Sequence, residues 1–319
     1  MRRLTMLTLF AVAAATVFAL PAAAQPRGTN GRILVNADAA NGQEQVYTLN
    51  SDGTDMRLLA SDAEAGQWSP DGTRIPIGFE DGDHLVNPDN GSYVNLPLPA
   101  LYPDMFLPCG VWSPDGTRLA CEGFGGAGDG VYTVRSSDGG DLQRVTSAAD
   151  DDCPGDYSPN GKQLVFLRTF FDARGIAGLF TIRTDGSGFR QIVDPVGMDL
   201  NFDCGNWSPQ RNEILFSAHV PNAREYRSTV WVVHSDGSGM HEVLIAGCGG
   251  RNDDPNSISC RYPSWSPDGQ KILFSRFSAA TGQRDLYTVD ADGSDLTQVT
   301  NTPGIDEFFS DWGIHPNTR

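Results

Sequence analysis

The amino-acid sequence predicts an all-β protein, a six-bladed β-propeller whose blades are four-stranded antiparallel sheets. Three observations support this prediction: an aromatic-Ser-Pro motif occurs five times with a degenerate sixth copy at Trp312, an Asp-Gly turn occurs between the copies, and the two chain ends carry complementary parts of one blade. Gly supplies 36 and Pro 20 of the 319 residues, which is typical of a chain with many tight turns. A fixed period over most of a chain indicates a repeat architecture, so the repeat decides the fold class.

The first motif reads Trp-Ser-Pro-Asp-Gly in its clearest copies, and its aromatic residues are Trp68, Trp112, Tyr157, Trp207, Trp265 and Trp312. We call these six residues the motif aromatics; they are spaced by 44, 45, 50, 58 and 47 residues. Ser-Pro-Asp-Gly suits a type I turn, since Pro fixes φ at the second position and Gly accepts a positive φ. The second turn motif alternates with the first, near Asp52, Asn90, Asp138, Asp185, Asp236 and Asp292.

Each repeat predicts four short strands. In the last complete copy, residues 271–275, 285–289 and 296–300 alternate apolar and polar side chains at period two, which indicates strands. The segment ahead of the Ser-Pro turn supplies the remaining strand, and four antiparallel strands every ~45 residues make a propeller blade. We expect each motif aromatic to pack between neighbouring blades.

The two ends of the chain are predicted to share one blade. Residues 32–35, 45–49 and 56–59 match the second, third and fourth strands of a blade, and the missing first strand appears at residues 308–313. Joining these segments closes the ring and covers the sheet edges. The 58-residue step is accommodated by insertions at 218–228 and 246–263, so the sequence predicts six blades and no seventh.

The N-terminus predicts a cleaved secretory signal over residues 1–24. Arg2 and Arg3 precede an apolar stretch at 4–20, and residues 22–24 provide a small-residue cleavage site. The alternative, a transmembrane anchor, usually lacks that small-residue exit. Residues 25–319 are therefore predicted to form a single propeller domain that is periplasmic or secreted, monomeric and not membrane-spanning.

The Trp-Ser-Pro-Asp-Gly and Asp-Gly-Ser motifs resemble the WD40-like repeats of TolB-like β-propellers, over residues 30–316. The resemblance implies a six-bladed propeller in a periplasmic setting and leaves membership of the Tol-Pal envelope system open. TolB itself also carries an α/β domain ahead of its propeller. Because the repeats here begin soon after residue 24, we expect that domain to be absent from this chain.

Six cysteines in an exported chain suggest three disulfides, with 15 pairings available in principle. Cys109 and Cys121 each lie six residues from the middle of a predicted hairpin, so they should face each other. The other predicted pairs are Cys248–Cys260, which brackets an insertion, and Cys153–Cys204, which links equivalent positions of adjacent blades. No Cys-x-x-Cys occurs, which disfavours a metal or catalytic role.

Carboxylates are frequent in the loops that lead into the first strands, and in a propeller these loops surround one mouth of the central channel. The predicted acidic mouth contains Asp62, Glu64, Asp104, Asp150, Asp151, Asp152, Asp156, Asp199, Asp203, Asp253, Asp254, Asp306, Glu307 and Asp311. Such a ring suits Ca²⁺ or Mg²⁺, which bind carboxylate oxygens, or a basic partner attracted by the field. Alternatively, these side chains only cap turns and solubilise loops.

The net charge of -17 disfavours nucleic acid as a partner, because a phosphate backbone needs basic residues. No Gly-x-Ser-x-Gly or His-Glu-x-x-His motif occurs, so we expect a non-enzymatic scaffold that binds a protein or peptide partner of the cell envelope. Two alternatives stay open. One is a metal-dependent enzyme acting on a small or sugar-like substrate in the channel; the other is a carbohydrate-binding propeller using rim aromatics such as Tyr102 and Tyr262.

Overall fold

The computed structural model describes residues 29–80, 82–97, 107–124, 128–147, 151–170, 175–194, 198, 200, 203–219, 227–249, 258–278 and 281–314. Within these residues the chain forms 24 strands that pair into six four-stranded antiparallel sheets. The sheets are the blades of a propeller, which confirms the predicted fold class and blade number. The predicted signal, residues 1–24, lies outside the described residues. In the described part of the chain, no helix is long and apolar enough to cross a membrane.

The first three blades contain the N-terminal half of the chain. Blade 1 consists of β1 (Asn30–Ala39), β2 (Glu44–Leu49), β3 (Arg57–Ser61) and, on the axis side of β1, β24 (Ile305–Ile314). Blade 2 consists of β4 (Glu64–Ala65), β5 (Ile75–Phe79), β6 (Gly82–Val86) and β7 (Tyr93–Asn95). Blade 3 consists of β8 (Cys109–Trp112), β9 (Arg118–Gly123), β10 (Gly130–Arg135) and β11 (Gln143–Arg144).

The other three blades follow the same order, with the first strand nearest the axis. Blade 4 consists of β12 (Asp151–Tyr157), β13 (Gln163–Phe170), β14 (Gly175–Arg183) and β15 (Arg190–Val193). Blade 5 consists of β16 (Asn206–Trp207), β17 (Glu213–Ala218), β18 (Thr229–His234) and β19 (His241–Glu242). Blade 6 consists of β20 (Ser259–Trp265), β21 (Lys271–Ser278), β22 (Gln283–Asp290) and β23 (Thr297–Gln298).

The Ser-Pro-Asp-Gly turn joins the first and second strands of a blade by a fixed set of hydrogen bonds. In blade 3 the Gly116 N–H donates to the Ser113 carbonyl oxygen at 2.8 Å, and the Ser113 hydroxyl donates to the Asp115 carboxylate at 2.7 Å. The Arg118 N–H donates to the same hydroxyl at 2.9 Å. Gly116 has a φ of +70°, a backbone conformation that residues other than glycine rarely adopt. These requirements explain why the motif is repeated.

The core is divided into six clusters, one at each contact between neighbouring blades. Each motif aromatic lies in a different cluster. Trp112, for example, packs with Leu85 of blade 2 and Leu119 of blade 3. Trp312 packs with Ile33 of blade 1 and Leu273 of blade 6. The structure therefore confirms that the motif aromatics pack between blades, where large rings bury the most apolar surface.

The ring closes in the way the sequence predicts. β24 pairs antiparallel with β1, and the register places Trp312 opposite Ile33 and Ser310 opposite Val35. The C-terminal strand thus completes the blade that the N-terminal strands begin, and the edge of β1 that faces the axis is paired.

All three predicted disulfides are present in the structure. Cys109 and Cys121 face each other across the β8–β9 hairpin of blade 3. The Cys153–Cys204 bond links blade 4 to blade 5, with a Cα–Cα distance of 5.9 Å. The Cys248–Cys260 bond also crosses between blades, because Cys248 follows β19 in blade 5 and Cys260 lies in β20 of blade 6.

Candidate functional site

The axial channel contains two cavities. The larger, of about 880 Å³, is lined by all six motif aromatics and by the prolines of the five Ser-Pro turns, and we call it the tryptophan cavity. The smaller, of about 580 Å³, lies where the first strands begin, and we call it the acidic cavity. The two cavities share three lining residues, Gln67, Asn206 and Asp311. Together with Asp156, which lines the tryptophan cavity, these residues form what we call the waist.

Each waist residue directly precedes a motif aromatic in the sequence. Three waist side chains accept a hydrogen bond from the backbone N–H of the motif aromatic in the next blade: Asp311 from Trp68 (2.7 Å), Asp156 from Trp207 (2.9 Å) and Asn206 from Trp265 (2.9 Å). The fourth, Gln67, donates from its amide to the Gly155 carbonyl oxygen at 3.1 Å. The waist therefore links the blades to one another around the axis.

Two waist carboxylates come from opposite blades, Asp156 from blade 4 and Asp311 from blade 1. Burial is the main cause that raises the pKa of Asp156 to about 8, against the lowering effect of the Trp207 N–H, and the charge of Asp311 contributes to the rise. Burial also raises the pKa of Asp311 to about 6. At neutral pH the waist therefore carries one carboxylate charge and one neutral carboxyl group.

The first strands approach one another so closely that side chains are excluded at some positions. A Cβ atom added to Gly66 in blade 2 would lie 2.4 Å from the Gly110 Cα of blade 3. A Cβ on Gly155 in blade 4 would lie 2.0 Å from the Cys204 carbonyl oxygen ahead of blade 5. Glycine at these positions is needed for the close packing of backbones around the axis.

Five of the predicted mouth residues lie along the channel. Asp62, Glu64, Asp203 and Asp311 line the acidic cavity, and Asp156 lies at the waist on the tryptophan side. Five others lie outside the described residues, so the structure says nothing of Asp104, Asp150, Asp199, Asp253 and Asp254.

The remaining four predicted residues lie within strand ladders. Asp152 is fully buried in β12 and accepts two hydrogen bonds from the Arg168 guanidinium, at 2.6 and 2.8 Å. Asp151 lies beside it and accepts a hydrogen bond from the Thr169 hydroxyl at 3.3 Å.

In β24 the side chains of Asp306 and Glu307 likewise have partners within the protein. Asp306 pairs with Arg284, and Glu307 is fully buried and accepts hydrogen bonds from the hydroxyls of Thr300 and Thr302. The reason is that β12 and β24 begin earlier than the turn motifs suggest, so these residues occupy paired strand positions rather than loops.

Three carboxylates that the sequence analysis missed also line the acidic cavity, Glu44, Asp83 and Glu122. They belong to second or third strands, not to the loops that lead into first strands. The available signal was a carboxylate at the end of a strand otherwise rich in apolar residues, as at Glu122 after Leu119–Cys121 in β9.

Glu122, Asp83 and Glu64 of the acidic cavity hold protons more tightly than ordinary carboxylates. Burial is the main cause that raises the pKa of Glu122 to about 9, and a hydrogen bond with Asp151 and the charges of Asp151, Asp152 and Glu64 contribute to the same rise. Burial raises the pKa of Asp83 to about 6 against the lowering effect of the Cys109 N–H. The pKa of Glu64 is raised by loss of solvation of its carboxylate in the cavity wall and by the negative charge of Glu44.

Asp203 differs from these carboxylates in its hydrogen bonding. It accepts from the Ser217 N–H at 2.7 Å and the Ser217 hydroxyl at 2.8 Å, although burial still raises its pKa to about 6. By contrast, no Lys or Arg within the described residues pairs with Glu44, Glu64, Asp83 or Glu122. Glu122 is protonated at neutral pH, and the other three carboxylates have no basic partner in the described residues, so the acidic cavity carries negative charge that no Lys or Arg there neutralises.

An aromatic pair forms another part of the same wall. Tyr262 of blade 6 and Phe309 of blade 1 both line the acidic cavity, and their ring centroids lie 4.4 Å apart. Tyr262 has a φ of +54°, which is unusual for a bulky residue and occurs where β20 is irregular between Arg261 and Ser264. The other predicted rim aromatic, Tyr102, lies outside the described residues.

Comparison with known proteins agrees with this architecture. TolB from Acinetobacter baumannii superposes with a TM-score of 0.66 at 14% identity, over 89% of this chain and 66% of that one. A TolB-assigned protein from Agrobacterium tumefaciens superposes with a TM-score of 0.61 at 18% identity, over 89% of this chain and 99% of that one. The chain is a TolB-like β-propeller in its fold.

Sequence comparison and one further solved structure add to this result. No protein-family model matches the chain. An uncharacterised protein of Agrobacterium fabrum is 26% identical to this TolB-like propeller over 261 residues, which is 72% of this chain and 80% of that protein. An oligogalacturonate lyase in complex with manganese superposes with a TM-score of 0.50 at 15% identity, over 86% of this chain and 75% of that one. Identities this low show a shared fold alone.

An acidic mouth suggests a site for Ca²⁺ or Mg²⁺. Across the part of the chain that the structure describes, no group of three or more His, Cys, Asp or Glu side chains is placed to hold a metal ion. The carboxylates of the acidic cavity are distributed along its wall instead.

Proposed function

We propose that this chain is an exported β-propeller that binds a protein or peptide partner of the cell envelope at the acidic cavity. One observation carries the proposal: a cavity of about 580 Å³ on the propeller axis is lined by carboxylates that no cationic side chain of the described residues neutralises. Burying Asp83 and Glu122 without a basic partner costs stability, and a cationic group supplied by an external partner would offset this cost.

The architecture suits a binding scaffold. Six blades closed by β24, with inter-blade hydrogen bonds at the waist, hold the cavity wall in a fixed shape, which reduces the entropy lost on binding. Three disulfides agree with an oxidising compartment, and residues 1–24 have the composition of a secretory signal. We further propose that the mature chain is a monomer.

The proposal is tested by affinity capture from envelope extract with the exported protein. Glu44 and Glu64 are both exposed and line the acidic cavity, so the double variant Glu44→Gln, Glu64→Gln removes two charges with little effect on packing. The matched control is Glu242→Gln, Asp295→Asn, which removes two charges beside outer strands.

We expect saturable capture of one partner by the wild type and the control, and its loss in the cavity variant. Equal recovery by all three proteins contradicts binding at the acidic cavity.

A second candidate function is a metal-dependent enzyme acting on a sugar-like substrate. The observation that favours it is the fold shared with an oligogalacturonate lyase in complex with manganese. Elemental analysis of the protein purified without chelator tests this candidate, which predicts about one tightly bound divalent metal ion per chain. Protein without bound metal contradicts it.

A further inference from the structure

Two carboxylates in blade 2 are separated by a gap that a side chain would otherwise fill. Glu64 in β4 and Asp83 in β6 are both paired with Gly78, which lies between them in β5. Residues directly opposite in adjacent strands share one face of the sheet, so both carboxylates flank a position without a side chain. A Cβ atom on Gly78 would lie 3.3 Å from Asp83 Oδ1, so the Asp83 carboxylate closely borders this position, and all three residues line the acidic cavity; we call the position between the two carboxylates the niche.

Two serine hydroxyls on the same wall have no hydrogen-bond partner. The Oγ atoms of Ser264 in blade 6 and Ser310 in blade 1 are buried and unpaired, and both residues line the acidic cavity. Ser264 is only 3% exposed. A buried hydroxyl without a partner costs free energy, and in folded proteins it commonly marks a missing ligand or water.

The serines of the turn motif show the contrast. The Ser266 hydroxyl, two residues after Ser264, donates to Asp268 at 2.7 Å and accepts from the Lys271 N–H at 2.9 Å. The fold therefore satisfies a structural serine fully at this point of the chain and leaves the cavity serine unpaired. Because a serine side chain turns about a single bond, its hydroxyl can reorient toward a cavity occupant.

These features select one ligand chemistry. Carboxylates attract a cation, hydroxyl oxygens accept hydrogen bonds from its N–H groups, and the ring faces of Tyr262 and Phe309 attract both its charge and an alkyl stem. We propose that the acidic cavity takes the cationic side chain of a lysine or arginine from the partner segment. Its alkyl stem lies against Tyr262 and Phe309, and its charged group lies at the niche between Glu64 and Asp83. This inference rests on the proposed function and specifies the group that is recognised.

The test uses the exported protein and labelled pentapeptides that contain one central lysine, arginine, norleucine or glutamate between alanines. Norleucine keeps an alkyl stem of lysine and lacks the charge. We expect saturable binding of the lysine and arginine peptides, and binding of the norleucine peptide weaker by about tenfold or more. Equal affinity for lysine and norleucine overturns the inference, as does an absence of saturable lysine and arginine binding.

Cavity variants locate the binding. Glu64→Gln and Phe309→Leu are each expected to weaken lysine-peptide binding by about three- to tenfold, because each removes one predicted contact. The matched controls are Glu242→Gln and Phe189→Leu, which make the same substitutions outside the cavity. Reduced binding in the controls to the same degree contradicts the assigned site.

Ser264→Ala separates a ligand contact from a structural role. The hydroxyl has no partner in the free protein, so we expect an unchanged or raised melting temperature together with weaker lysine-peptide binding. Unchanged peptide affinity removes the serine from the site.

Failure of the inference can be told apart from failure of the proposed function. If neither the lysine peptide nor the norleucine peptide competes with capture of the envelope partner, only the inference is overturned. Lysine-peptide binding without loss of partner capture in the Glu44, Glu64 variant overturns only the proposed function.

Discussion

The two cavities on the propeller axis are built by different rules. The tryptophan cavity is lined mainly by residues of the repeat, the motif aromatics of all six blades and the Ser-Pro turns of five. The acidic cavity is lined by residues that differ from blade to blade, such as Glu122 in blade 3, Asp203 ahead of blade 5 and Tyr262 in blade 6. One end of the channel is therefore a product of the repeat, and the other is particular to this protein.

This difference separates structural residues from candidate binding residues. The motif aromatics pack in all six inter-blade clusters, and their loss would open a contact between blades. Asp83 and Glu122 of the acidic cavity have raised pKa values and no cationic partner in the described residues, so their burial lowers the stability of the free protein. Substitutions at the two ends should therefore differ in their effects on stability and binding.

The largest effect is expected at the tryptophan end. Trp112 is only 7% exposed and fills the contact between blades 2 and 3. Trp112→Ala should lower the free energy of unfolding by about 3–5 kcal/mol, because it leaves a cavity in a packed core. Urea denaturation measures the change. A loss below about 1 kcal/mol would show that the motif aromatics do not hold the blades together.

The next effect concerns the disulfides, which cross-link the acidic end where Cys109, Cys153 and Cys204 line the cavity. The Cys153–Cys204 bond closes a loop with a sequence separation of 51, and the Cys109–Cys121 bond one of 12. Replacing the first pair by alanine should cost about 4 kcal/mol and the second about 3 kcal/mol, since longer loops gain more entropy in the unfolded chain. Urea denaturation of the two double variants at equal pH measures the order, and the reverse order contradicts the loop argument.

A smaller effect is expected at the waist and depends on pH. The raised pKa of Asp156, about 8 against a usual 3.8, means that the folded protein holds a proton that the unfolded chain has lost. Below pH 4 both the folded and the unfolded protein hold this proton, so Asp156 does not destabilise the fold. As pH rises from about 4 to about 8, the unfolded chain loses the proton first, and the free energy of unfolding falls. Asp156→Asn should remove this loss of stability at high pH, because asparagine does not ionise. Its amide oxygen can accept the same hydrogen bond from the Trp207 N–H, as Asn206 does from Trp265.

The expected gain for Asp156→Asn is about 1–3 kcal/mol at pH 8 and close to zero at pH 4. Denaturation curves at both pH values measure it. The reverse variant, Asn206→Asp, adds a buried carboxylate at the waist and should destabilise the protein more at pH 8 than at pH 4. An equal effect of either variant at both pH values would contradict the pKa argument.

The smallest stability effect is expected at the acidic end itself. Phe309 is 40% exposed, so Phe309→Leu should change the free energy of unfolding by less than about 1 kcal/mol. A large loss of stability would show that the aromatic pair with Tyr262 supports the ring, and would remove the distinction between the two ends. Thermal melting of Phe309→Leu beside Trp112→Ala makes the comparison directly.

Features encoded in consecutive residues were predicted correctly. The turn chemistry around Ser113 and Gly116 gave the hairpins, the motif spacing gave six blades, and residues equidistant from a hairpin turn gave the Cys109–Cys121 pair. The acidic residues were harder to predict, because strand ends are poorly marked in sequence and strand neighbours face opposite sides. Asp152 and Glu307 lie in their sheets for this reason, whereas Glu44 and Glu122 lie on the cavity wall.

The sequence by itself determined the repeat, the blade number, the closure of the ring and the three disulfides, since each depends on local turn chemistry or on a fixed period. Only the tertiary structure decided which carboxylates meet in the acidic cavity, which serine hydroxyls stay unpaired there, and that Asp156 faces Asp311 across the axis. Those relations join residues far apart in the chain, and burial, which sets their pKa values, exists only once the blades surround the channel.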